Sequence, residues 1–234
     1  MLIGFNPALR QTRPENMVLD PEVRQYAAFA DAAYAPDRME RLRERDEGRR
    51  FRLVPKLSDE YIAVFESRDE VVTAVRGTVP TDPQDLAADV GLVVGTATNS
   101  TRFQHARDRY EEVLRRFPDK QHTVTGHSLG GSIAMHLNQH YPVDQVYLYN
   151  PGSAPMDPEV RTGGLNFGTL GGGIARRVGS NFNLLRGDNK KMDNVHGVFV
   201  QGDPISVLGQ YQLSHTTVLP AKANLNPHTL EQFF

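Results

Sequence analysis

Ser128 lies in Gly126-His127-Ser128-Leu129-Gly130, the spacing G-x-S-x-G, with Thr125 before it and Gly131 after. With Gly and Ser each at roughly 7% of residues, this pattern arises by chance in about 0.08 of chains of this length. Its neighbours therefore decide its meaning. A short β-like run, Gln121 to Thr125, leads into it, and a helical run, Ser132 to His140, leads out. Strand, tight turn and helix are the setting of a nucleophile elbow, which holds a serine in strained backbone with its hydroxyl presented for attack. Glycines two residues to either side let neighbouring backbone pass without a Cβ clash. The serine then sits at a helix N-terminus, where unpaired N–H groups can meet a developing oxyanion. The competing reading is an ordinary glycine-rich turn.

A serine is a poor nucleophile without a general base, and the base needs an acid to fix its tautomer. At elbows of this kind the acid and then the histidine follow the serine along the chain. Asp203, in Gly202-Asp203-Pro204, comes directly after the apolar run Val195 to Val200. That is the carboxyl end of a strand, where sheet sites gather. Asp188 and Asp193 lie before that strand and are weaker candidates, and the bland reading of Asp203 is a self-capping turn residue. For the base, His228 follows Asn226-Pro227, which read as N-cap and first helical residue. The alternative, His215, alternates with apolar residues as a strand position would. His127, inside the elbow, reads as a packing residue rather than a base.

The elements that must position these groups follow from periodicity. Asp20-Pro21 opens a helix with an apolar stripe of Val23, Tyr26, Ala27, Ala30, Ala33 and Tyr34, stopped by Pro36. Tyr61 to Glu66 and Val71 to Arg76 read as a hairpin about the charged turn Ser67 to Glu70. Phe103 to Phe117 has helical spacing and ends on Arg115, Arg116 and Pro118. Gln145 to Tyr149 and Val195 to Val200 are further strands, so strands alternate with helices and a largely parallel sheet is expected.

Other constellations are bland. His136 and His140 share a helix face, but Leu137 stands where a zinc-binding H-E-x-x-H motif has Glu, so a helix face bearing two histidines is the better reading. Gly163 to Gly173 has neither a dinucleotide nor a P-loop spacing and reads as a surface excursion. The arginines and carboxylates interleaved from Arg38 to Arg52 read as a solvated mixed-charge helix or loop. Asn99-Ser100-Thr101 would accept a glycan only in a secreted protein.

Composition narrows the classes further. The 234 residues suit a single α/β domain over 1–234, and 39% hydrophobic content with a mean hydropathy of -0.46 excludes a membrane-embedded chain. A net charge of -2 argues against nucleic-acid partners. Zero cysteines exclude disulfides, thiolate catalysis and cysteine-ligated metals. The first ten residues carry no long apolar stretch of a secretory leader, and with the missing cysteines this gives an expectation of a cytoplasmic protein.

Four stretches, taken in order, resemble the class 3 lipase family of α/β hydrolases, which includes fungal triacylglycerol lipases and plant phospholipase A1-type enzymes. Ala74-Val75-Arg76-Gly77-Thr78 is similar to the family's strand ending in Arg-Gly-Ser/Thr, which implies Thr78 as one oxyanion donor. Thr125 to Gly131 is similar to its nucleophile motif, which implies the Leu129 amide as the second. Gly202-Asp203-Pro204 resembles its acid, and His228-Thr229-Leu230-Glu231-Gln232-Phe233 its terminal histidine motif, which favours His228 over His215. The chain departs from the family where Asp85 is followed by Leu86 rather than Trp, although Asp89 matches a later acidic position. It departs again at Asn150-Pro151-Gly152, where Phe-Gly-x-Pro is common. Pro80 to Thr101 falls where fungal members carry a lid.

The resemblance implies an α/β-hydrolase fold, a mostly parallel central sheet flanked by helices, and a serine hydrolase cleaving lipid acyl esters through an acyl-enzyme. Its expected site is Ser128, Asp203 and His228, with no metal or cofactor, and with an acyl ester or lipid, met at a lipid interface, as partner. An acyltransferase or thioesterase would use the same three residues, and a non-catalytic lipid-binding protein would share the scaffold.

Overall fold

The computed structural model describes residues 19–78, 101–152, 193–203, 213 and 215–234. Asp85, Asp89, Asp188, the stretch from Pro80 to residue 100 that falls where fungal members carry a lid, and the glycine-dense run at 163–173 lie outside them.

Helix α1, Pro21–Ala32, begins as its sequence dictates. The Asp20 carboxylate accepts from the Glu22 N–H at 2.9 Å, and Pro21 occupies the first helical position. A second helix, α2, spans Arg38–Glu44 with Asp37 as its cap. A short strand, β1 (Arg52–Leu53), then precedes the expected hairpin of β2 (Ile62–Glu66) and β3 (Glu70–Val75). Helix α3 (Thr101–Arg116) buries Phe103, Ala106, Tyr110 and Val113 along one stripe. Strand β4 (Gln121–His127) feeds α4 (Leu129–His140), which starts three residues earlier than its apolar periodicity suggests, Ser128 standing at the N-cap position with its carbonyl accepting from the Ser132 N–H at 3.2 Å. Strands β5 (Gln145–Tyr149), β6 (Val195–Val200) and β7 (His215–Leu219) follow, and a 3-10 turn, Leu230–Phe233, closes the chain.

Among the described residues seven strands lie side by side in chain order. β1, β2 and β3 pair antiparallel, and every pairing from β3 to β7 is parallel. A mostly parallel sheet must bury both faces under its crossovers, so its strands read as nearly continuous apolar runs. Successive residues nevertheless serve opposite cores. Ile62, Val64, Val146 and Leu148 face the layer containing Phe103, Tyr110, Ile133 and Leu137 of α3 and α4. Ala63, Phe65, Tyr147 and Tyr149 face the layer containing Phe29 of α1 together with Leu230 and Phe233. Among the described residues no helix is long and apolar enough to cross a membrane.

Candidate active site

Parallel pairing aligns the carboxyl ends of four strands. Val75 lies opposite Gly126, His127 opposite Tyr149, and Tyr149 opposite Val198. Thr78 after β3, Ser128 after β4, Asn150 after β5 and Asp203 after β6 therefore emerge at one edge, where sites of open α/β sheets form.

Ser128 has φ 57° and ψ -126°, a left-handed conformation that a non-glycine residue adopts only at a cost of about 1–3 kcal/mol. Its backbone is fully engaged. The N–H donates to the Tyr149 carbonyl at 3.1 Å, and its own carbonyl accepts from Gly131, Ser132 and Gly152 at 3.0, 3.2 and 3.0 Å. The glycines are required by close approach: a Cβ on Gly126 would lie 2.4 Å from the Gly130 carbonyl, and one on Gly130 only 2.1 Å from the Val75 carbonyl. With backbone pinned on both sides, Ser128 Oγ is buried and makes no hydrogen bond.

Of the expected oxyanion residues, Leu129 follows the serine in this turn and Thr78 is next to a glycine that packs on it. Leu129 is buried as the first residue of α4, whose opening N–H groups have no partner within the helix. Gly77, next to Thr78, packs so closely on the elbow that a Cβ there would stand 3.2 Å from Ser128 Cβ and 2.6 Å from the His127 carbonyl. Thr78 itself is half-buried.

Asp203 is fully buried in the turn after β6, its N–H donating to Val200 at 3.2 Å. His228, 6% exposed, places Nδ1 3.0 Å from Asp203 Oδ1 and 3.1 Å from Oδ2. Its other ring nitrogen, Nε2, is buried and without a hydrogen bond. Ser128 Oγ and His228 Nε2 thus do not bond to each other here, and such contacts commonly tighten only when substrate arrives.

No helix begins at Pro227. The Asn226 side chain instead accepts from the His228 N–H at 3.0 Å in a local turn, and the following 3-10 turn is capped by Thr229. Asparagine competes for its own neighbouring backbone, and that contact wins here over helix initiation. Of the alternatives, His215 opens β7 exposed and stacked on His196 with ring centroids 4.7 Å apart, at the end of the strand opposite the Asp203 turn. Asp193 is exposed ahead of β6. The His136 and His140 rings on α4 lie tilted with centroids 4.4 Å apart, and no group of three His or carboxylate side chains suited to a metal occurs among the described residues.

Two supports were not legible in the motifs. Asn150, at φ 39°, donates through Nδ2 to the Pro227 carbonyl at 2.9 Å and accepts through Oδ1 from the Val200 N–H at 2.8 Å. One buried amide thereby joins the base segment to the strand that carries the acid. The mixed-charge stretch is also less solvated than its composition suggests. Arg41 and Arg45 both turn onto Asp31, at 2.8 and 2.9 Å, and both reach Glu231 in the last turn. The Arg45 guanidinium lies 3.8 Å over the Phe234 ring. Asp31 on α1 is what turns this face inward, a tertiary effect that charge spacing along α2 does not encode.

A seven-stranded, mostly parallel sheet with a strained serine at a strand-to-helix turn defines an α/β hydrolase architecture. Residues 65–151, from β2 through the elbow to the end of β5, match the family model for lipase (class 3). The match includes two of the four stretches that carry the resemblance, Ala74 to Thr78 and Thr125 to Gly131; the segments around Asp203 and His228 lie beyond it. It supports hydrolysis of lipid esters as the general activity. Among solved structures, the crystal structure of TT1662 from Thermus thermophilus aligns with a TM-score of 0.39 at 16% identity, covering 68% of this chain and 70% of that one. No curated protein matches the sequence.

Proposed function

We propose that the chain cleaves carboxylic esters of lipid acyl groups through an acyl-enzyme formed on Ser128. One observation carries this reading: a nucleophile oxygen and an imidazole nitrogen, Ser128 Oγ and His228 Nε2, are both buried without partners, while Asp203 holds the far side of the same imidazole. Of the eight buried side-chain atoms without a hydrogen bond among the described residues, these two are the hydroxyl of the strained turn and the far nitrogen of the imidazole that Asp203 holds, which favours a reactive role.

In this mechanism Asp203 accepts from Nδ1–H and leaves the Nε2 lone pair facing the serine. Ser128 Oγ attacks the acyl carbonyl as its proton passes to His228 Nε2. The oxyanion forms against the amides of Thr78 and Leu129, each donor worth about 3 kcal/mol at comparable sites. The bond to the alcohol breaks as His228 returns the proton to the departing oxygen. Water, deprotonated by the same imidazole, then releases the acid and restores Ser128.

A fluorophosphonate probe tests this directly. Wild-type protein is expected to be labelled at Ser128 and to hydrolyse p-nitrophenyl acyl esters, and Ser128→Ala to do neither. A folded wild-type protein that takes no label and turns over neither short nor long acyl esters overturns the proposal.

A further inference from the structure

His127 is one residue from the proposed nucleophile, yet it points into the protein and bonds at both ring nitrogens. Nε2 lies 2.7 Å from the main-chain carbonyl of His228, and Nδ1 lies 3.2 Å from the Tyr34 hydroxyl. That hydroxyl in turn accepts from the Gly77 N–H at 2.9 Å. Residues 34, 77, 127 and 228 come from the end of α1, the end of β3, the elbow and the C-terminal segment.

Every proton in this chain is assigned by chemistry. A carbonyl only accepts, so His127 Nε2 must carry the hydrogen. Burial, reinforced by the neighbouring His228, pushes the His127 pKa down from its ordinary value to about 3, so the ring is neutral and Nδ1 is an acceptor. Tyr34 must then donate to Nδ1, and burial raises its phenol pKa so that the proton stays on. The series runs one way: Gly77 N–H to Tyr34, Tyr34 O–H to His127, His127 N–H to His228. Aligned bonds in a water-poor interior reinforce one another.

We infer that His127 and Tyr34 are positioning residues that lock the main chain of His228 to the elbow and to the oxyanion strand, fixing the base relative to Ser128. The inference rests on the serine-hydrolase reading and extends it. The imidazole of His228 is then held at two points, its ring by Asp203 and its backbone by His127. Neutrality matters as well as geometry. The two imidazole rings lie with centroids 4.7 Å apart, and a charged His127 would oppose the imidazolium that His228 becomes when it takes the serine proton. Gly77 belongs to the same device, because a Cβ there would stand 2.5 Å from the Tyr34 hydroxyl and displace it.

The test is steady-state hydrolysis of p-nitrophenyl butyrate by the full chain, with His127→Asn, His127→Gln and Tyr34→Phe made alone and on a His228→Ala background. Gln can place an amide donor where Nε2–H stands, whereas Asn cannot reach the His228 carbonyl. His127→Asn is expected to lower kcat about thirtyfold with KM unchanged, and His127→Gln and Tyr34→Phe to lower it about fivefold. On His228→Ala these losses should vanish, because no base remains to be positioned. Losses that persist in full on that background, or a fully active His127→Asn beside an impaired His228→Ala, overturn the inference. A fully active His228→Ala would instead overturn the underlying triad, a distinct failure. Tyr34→Phe removes a single oxygen, so it keeps the test decisive even where a His127 variant loses its fold by circular dichroism.

Discussion

The His228 imidazole meets both carboxylate oxygens of Asp203, at 3.0 and 3.1 Å, across 25 residues of chain. Because Asp203 is fully buried, its ionised form has no water to turn to, and the imidazole N–H is its counterpart. Replacement by the near-isosteric amide should leave packing intact while allowing the wrong tautomer. Asp203→Asn is expected to lower kcat by about 10⁴ with little change in the midpoint of urea unfolding. Stopped-flow ester hydrolysis checks it, and an Asn variant within tenfold of wild type would remove Asp203 from the catalytic set.

Asn150 presents a different kind of test, one of stability. Its side chain satisfies the Val200 N–H and the Pro227 carbonyl, and its φ of 39° is a conformation asparagine tolerates better than alanine. Asn150→Ala should therefore cost about 2–4 kcal/mol, from an unsatisfied buried donor and from backbone strain. Asn150→Gly relieves only the strain and should cost about 1–3 kcal/mol. Denaturant unfolding of the three proteins measures the difference, and equal stabilities would show that the bridge contributes nothing.

Glu231 gives a pH dependence. Its hydrogen bond with Arg45 and the charges of Arg45 and Arg41 hold its pKa below the ordinary carboxylate value. A depressed folded-state pKa means that the stabilisation is present above the unfolded carboxyl value of about 4.3 and is lost as pH falls through the folded one. Wild type should exceed Glu231→Gln in stability at neutral pH, and the gap should close on acidification. With 44% of the side chain exposed, the gap is expected to be under about 1 kcal/mol. Paired urea titrations at about pH 7 and about pH 3.5 read it, and a gap that widens in acid contradicts the assignment.

Local chemistry carried much of the fold into view. The Asp20-Pro21 cap, the hairpin between β2 and β3 and the α3 stripe depend on interactions or spacing within a few residues, and the elbow carries its motif in consecutive positions, so their signals are written locally. Ser128 and Asp203 belong with them, one named by G-x-S-x-G and the other by its place just after an apolar strand. The resemblance added Thr78 and Leu129 in the same local way.

Choosing between histidines was of another kind. By spacing alone, His215 and His228 both follow Asp203, and the resemblance of the terminal motif favours His228; the parallel pairing of β6 with β7 puts His215 at the far end of the sheet, while the C-terminal segment brings His228 back to the buried carboxylate. Tyr34, Asn150, Arg41 and Arg45 carry no motif, because their partners lie tens to hundreds of residues away. The G-x-S-x-G signal of the proposed nucleophile lies in consecutive residues, while neighbouring strands hold the turn in place. The proposed base and the contacts that hold it depend on closing long loops and burying polar atoms that must then find partners, and only the folded arrangement of the sheet decides which partners those are.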